Sequence, residues 1–147
     1  MEGVTDMTDL KKGIIEINGF EINAKTTVND IINNLIDFCA FKIVSEDASD
    51  AFFRFENVKL IDRTFKAKMY FYRSRLSHIE LFSACGGKPS FEELFEEDCA
   101  WLRNVLGEPT KAGSNGVVYV FDAVQVGATL RECDGRTGPD EYIGVQY

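Results

Sequence analysis

His78 and Glu80 stand on a stretch, Leu76 to Phe82, that alternates as a strand does, so both side chains project from one face. An imidazole beside a carboxylate is a general-base pair. With Cys85 nearby in sequence it would make an activated thiol nucleophile. The same residues are also what a solvated histidine on an open sheet looks like, and that is the expectation here. Asp98 is the other acid of interest. It falls near the centre of the apolar stripe Phe91, Leu94, Phe95, Leu102, Val105 and Leu106, where a carboxylate is costly without a partner. Either it is a perturbed acid, or the helix breaks near Glu97 and Asp98 caps a second segment. The helix break is the expected arrangement.

Other signatures fail. A P-loop needs GxxxxGK[ST], but Gly87-Lys88 is followed by Pro89, and Phe82 holds the place of the first glycine. No serine lies in GxSxG. Cys39, Cys85, Cys99 and Cys133 form no CxxC, and His78 is the one histidine, so no metal set is assembled and no cofactor motif is present. Glu92, Glu93, Glu96 and Glu97 read as a solvated helix face whose early carboxylates favour the positive end of the helix dipole.

These residues need elements to hold them. Asn18-Gly19 predicts a two-residue hairpin with strands at about 14–17 and 20–23. Thr26 or Thr27 then caps a helix whose stripe is Val28, Ile31, Ile32, Leu35, Ile36 and Cys39. Ser45 to Asp50 is a polar loop. Strands follow at Phe52 to Asn57, Thr64 to Arg73 and Leu76 to Phe82. Cys85 to Pro89 breaks the pattern, and Ser90-Phe91-Glu92-Glu93 is a capping box opening a second helix that Gly107 and Pro109 end. Strands are predicted again at Val117 to Phe121, Ala123 to Arg131 and Tyr142 to Tyr147, with Asp134 to Asp140 as a turn-rich loop.

Composition bounds the class. The chain has 147 residues, 45% of them hydrophobic, with 12 Phe, which supports one packed domain. A formal charge of -8 argues against a nucleic-acid or membrane-surface partner, because phosphate binding rests on Lys and Arg. Met1 to Asp6 carries no basic-then-apolar leader, so the cytoplasm is the expected location and buried free thiols the expected state of the cysteines.

The halves match at an offset of 66 residues: Phe53 to Leu60 and Tyr119 to Val126 share an aromatic-x-Phe-acid-x-Val-x-aliphatic pattern. The predicted fold class is therefore α+β. Two tandem helix-plus-antiparallel-strand repeats, about 20–83 and 90–147, form one sheet with both helices on one face. Residues 1–12 are a flexible start and 13–147 one domain.

Leu106-Gly107-Glu108-Pro109 closing a helix, followed by the Tyr119-Val120-Phe121 strand, resembles the β-lactamase inhibitor protein-like fold. The resemblance is carried by the second half; no Gly-x-Pro follows Cys39. It implies that an open, aromatic-rich sheet face serves as a protein-binding surface. Small acidic bacterial toxin-immunity proteins are similar in type.

Strand periodicity places Phe52, Arg54, Glu56, Lys66, Lys68, Tyr70, Tyr72, His78, Glu80, Phe82, Tyr142 and Gln146 on that face. Of these, Arg54, Lys66, Lys68, Tyr70, Tyr72, His78 and Tyr142 are the candidate binding residues, since Tyr and Arg are favoured at hot spots. The lysines make the face locally neutral or basic. The expected partner is another protein. A pocket for a small ligand built on Asp98 or His78, and self-association through open faces or edges, are the alternatives.

Overall fold

A computed structural model describes residues 8–83, 90–131 and 140–147. Cys85, Cys133, the Cys85 to Pro89 break and most of the Asp134 to Asp140 loop lie outside the described residues.

The first element among the described residues is a 3-10 turn at Leu10–Lys12, inside the stretch expected to be flexible, and Leu10 is buried. Strands β1 (Ile15–Ile17) and β2 (Phe20–Ile22) form the predicted hairpin. Asn18 and Gly19 carry the turn at φ 48° and 82°, the positive values that a type I′ turn requires. Helix α1 (Val28–Leu35) starts on Thr27. The Thr27 hydroxyl accepts from the Asp30 amide, and the Asp30 carboxylate accepts from the Thr27 amide.

Here the expectation fails. The helix was predicted to carry Ile36 and Cys39 on its stripe, but a 3-10 turn at Ile36–Phe38 ends it and Cys39–Val44 becomes strand β3. Then come β4 (Ala51–Leu60), β5 (Arg63–Tyr72) and β6 (Arg75–Ser83). Helix α2 (Phe91–Leu106) runs unbroken through Glu97 and Asp98, which overturns the expected break. The Ser90 hydroxyl accepts from the Glu93 amide, which is the serine half of the predicted capping box; the reciprocal Glu93 half, of the kind seen at Asp30 of α1, is not formed among the described residues. Beyond α2 lie β7 (Lys111–Gly113), β8 (Gly116–Val120), β9 (Gln125–Arg131) and β10 (Asp140–Gln146).

Strands β3 to β10 make one antiparallel eight-stranded sheet in the order β3-β4-β5-β6-β10-β9-β8-β7. Each half of the chain thus contributes four strands to this sheet, not the three expected, and β6 meets β10 at the centre. The fold is mixed α+β. The eight-residue sequence match does not occupy equivalent places: Phe53 to Leu60 lies within β4, whereas Tyr119 to Val126 crosses from β8 through a turn into β9.

One core fills the space on one side of the sheet. Phe53, Phe65, Met69, Ile79, Leu81, Ile143, Val145 and Val126 supply its sheet side. Val28, Ile31 and Leu35 of α1, Phe95 and Leu102 of α2, and Ile15 and Ile22 of the hairpin close it. Among the described residues, no helix is long and apolar enough to cross a membrane.

Candidate functional site

The face opposite the core is built by the sheet's other residue set. Phe52, Arg54, Lys68, Tyr70, His78, Glu80, Phe82 and Tyr142 are partly exposed, and Glu56, Lys66, Tyr72 and Gln146 are exposed. All seven candidate residues therefore sit on one face, as strand periodicity predicted.

Two cross-strand rows organise that face. In the first, Ile43, Phe52, Tyr70, His78, Gln146 and Gln125 are successive partners from β3 to β9. Its rings touch: Phe52 lies 5.0 Å from Tyr70, and Tyr70 stacks on His78 at 4.4 Å with 14° between planes. Phe41 adds a ring 6.1 Å from Phe52. In the second row, Phe41, Arg54, Lys68, Glu80, Gly144, Gly127, Val118 and Lys111 cross all eight strands. Tyr142 flanks this row 5.6 Å from Phe82, and its ring leans toward Gly144, within 3.6 Å of where a Cβ there would be. Tyr72 stands apart at the β5–β6 turn, 58% exposed, with the Arg73 guanidinium 5.2 Å from its ring centre.

Polar contacts hold some of these groups. The Tyr70 hydroxyl donates to Glu80 Oε1 at 3.2 Å, and its pKa is pushed up to about 12, first by burial and then by the Glu80 carboxylate. His78 Nε2 lies 3.8 Å from Glu80 Oε2, and His78 Nδ1 lies 3.2 Å from the Ser77 hydroxyl. Glu56 sits 3.6 Å from Arg54 Nε and 4.0 Å from Lys66 Nζ. Lys68 turns its ammonium over the Phe82 ring, 4.7 Å from the centroid.

Sequence reasoning missed Phe41 and Ile43, which are 45% and 60% exposed on β3. Their alternation around Lys42 was the available signal, hidden by a helical stripe that ran on in phase to Cys39. It also missed the irregularity between Tyr70 and Phe71, which resets the alternation so that Leu76 is buried while His78 stays on the open face.

Asp98 is not part of this site. It is fully buried, and its Oδ1 lies 2.9 Å from Arg63 Nη2. Arg63 also donates to the Ser83 hydroxyl at 2.9 Å and lies over the rings of Phe65 and Trp101, at 5.0 and 5.4 Å. Trp101 Nε1 donates to Asp62 Oδ1 at 2.7 Å. The perturbed-acid position is thus a clamp between α2 and β5, closed to ligands. A cleft of about 330 Å³ lies between the hairpin and β4, lined by Glu16, Asn18, Phe38, Glu56 and Lys59, and it contains neither Asp98 nor His78. Cys39 and Cys99 are free thiols, and burial raises the pKa of Cys99.

No family model matches the chain, and no curated protein or solved structure matches it either.

Proposed function

We propose that this chain is a non-catalytic protein-binding module, inhibitor- or immunity-like in type, acting through the open face of its eight-stranded sheet. The observation that carries the reading is the contiguous run Phe41, Phe52, Tyr70 and His78, rings in mutual contact on the face away from the core. A prepacked aromatic platform loses little side-chain entropy on docking, and interface hot spots are enriched in such residues. The reading includes a duplicated unit: a helix and four strands, repeated and joined at β6 and β10. The mirrored strand order about β6 and β10 supports it.

The test is affinity capture by the wild-type chain beside the Tyr70→Ala, Tyr72→Ala double variant, with far-ultraviolet circular dichroism confirming that both are folded. One dominant protein held by the wild type and lost by the folded variant is the expected result. Equal capture by both would move binding away from this face.

A second reading has its own observation. β3 is an edge strand with Phe41 and Ile43 exposed, and such an edge can pair with another copy. Light scattering decides it: a monomer at high protein concentration removes this reading.

A further inference from the structure

The molecule is electrically two-sided, and the open face has the sign opposite to the chain. Among the described side chains of the sheet, that face carries Arg54, Lys59, Lys66, Lys68, Arg75 and Lys111, placed there by their strand partners. It carries two carboxylates, Glu56 and Glu80. The whole chain has 16 basic and 24 acidic residues, so the remainder is strongly acidic. Much of that acid lies in the helix and hairpin layer, at Glu16, Glu21, Asp30, Glu92, Glu93 and Glu96.

One detail shows that this is more than an even scatter of lysines. Arg54 and Lys68 are direct cross-strand partners. Like charges facing each other across a ladder destabilise a sheet. Glu56 answers Arg54 and Lys66, but Lys68 has no carboxylate within ion-pair range among the described residues, although Glu80 is its strand partner. In the free chain the two heads lean apart, the Arg54 guanidinium 5.6 Å from the Phe41 ring centre and the Lys68 ammonium over Phe82, so the Lys68 charge is met by a ring and not by an acid.

Resting on the binding reading above, we infer that the partner docks an acidic protein segment on this face, with a carboxylate meeting the Lys68 ammonium and an apolar side chain on Phe52 and Tyr70. The acidic helix layer does not prevent this. It lies behind a packed layer roughly 10 Å deep, and charges beyond about 8 Å are largely screened at physiological salt. Single-stranded nucleic acid fits less well, because base stacking needs free ring faces and the Tyr70 and His78 rings already stack on each other.

The test is selection of a phage-displayed library of random linear peptides on the full chain at physiological salt. Selected peptides are then titrated against the wild type, Lys66→Glu with Lys68→Glu, and Tyr70→Ala with Tyr72→Ala, each checked for folding by thermal melt. Acidic peptides that lose at least about tenfold in affinity on both substitutions, and weaken as salt rises, are the expected result. Peptides without acidic character that are lost only on the tyrosine substitutions would overturn the acidic partner and leave the binding face standing. No enrichment, or binding that neither variant alters, would overturn both. Tighter binding of a fluorescent oligothymidine, lost on charge reversal, would overturn the inference in favour of nucleic acid.

Discussion

Replacing Asp98 by Ala should be among the most damaging single changes in this chain. Asp98 is fully buried, and the Arg63 side chain is 18% exposed. Removing the carboxylate leaves a guanidinium enclosed against Phe65 and Trp101, with Ser83 as its remaining hydrogen-bond acceptor among the described residues. Breaking one side of such a pair costs about 3–5 kcal/mol. A domain of this size is held by about 5–15 kcal/mol in all. With a urea slope of about 1–3 kcal/mol per molar, the unfolding midpoint should fall by at least about 1 M. Trp101, the one tryptophan, is the reporter: it is buried and bonded to Asp62, so its emission should shift red on unfolding. The partner experiment is Arg63→Met with Asp98→Leu. Asp98 Oδ2 has no hydrogen-bond partner among the described residues, so the native pair is incompletely satisfied. An apolar replacement should then recover most of the loss, to within about 1–2 kcal/mol of wild type. A single variant within about 1 kcal/mol of wild type would refute the argument. So would a double variant as unstable as the single one.

Two further outcomes follow from the geometry. The Tyr70 phenol titrates at about 12 in the folded chain against an ordinary 10.0, so its contribution to stability is complete below pH 10 and is lost as pH climbs toward 12. Tyr70→Phe should flatten that alkaline loss, and absorbance of the phenolate should show one fewer late-titrating tyrosine. A Cβ added at Gly127 would meet the Val117 carbonyl oxygen at 2.6 Å, whereas at Gly113 the nearest atom is 3.9 Å away. Gly127→Ala should therefore lower the melting temperature, by about 1–3 kcal/mol of stability, while Gly113→Ala changes it little.

The sequence was most legible where local chemistry decides the outcome. Asn18-Gly19 needs positive φ wherever it occurs, and Thr27 and Ser90 satisfy helix amides within their own turn. Strand β5 could be read because its core face is an unbroken alternation of Phe65, Ala67, Met69 and Phe71. The open face followed from the same parity. What stayed hidden depends on partners distant in sequence. β3 shows no buried alternation of its own and is a strand because β4 offers it hydrogen bonds. Asp98 tolerates burial because Arg63 lies on a strand that periodicity within α2 cannot see. The local charge of the open face was legible too, from Lys66 and Lys68 set against an otherwise acidic chain.

The meeting of β6 and β10 has a consequence for synthesis. When β6 has left the ribosome its outer edge has no neighbour, and the strand that will cover it lies beyond residues 84–139. At about 5–20 residues per second, that edge waits on the order of several seconds. Throughout that interval β3 to β6 form a half-sheet with an unpaired central edge, a template for joining the wrong chain. A nascent-chain chaperone, or slow temperature and low expression in its place, should therefore govern the yield of this protein more than the stability of the finished fold does.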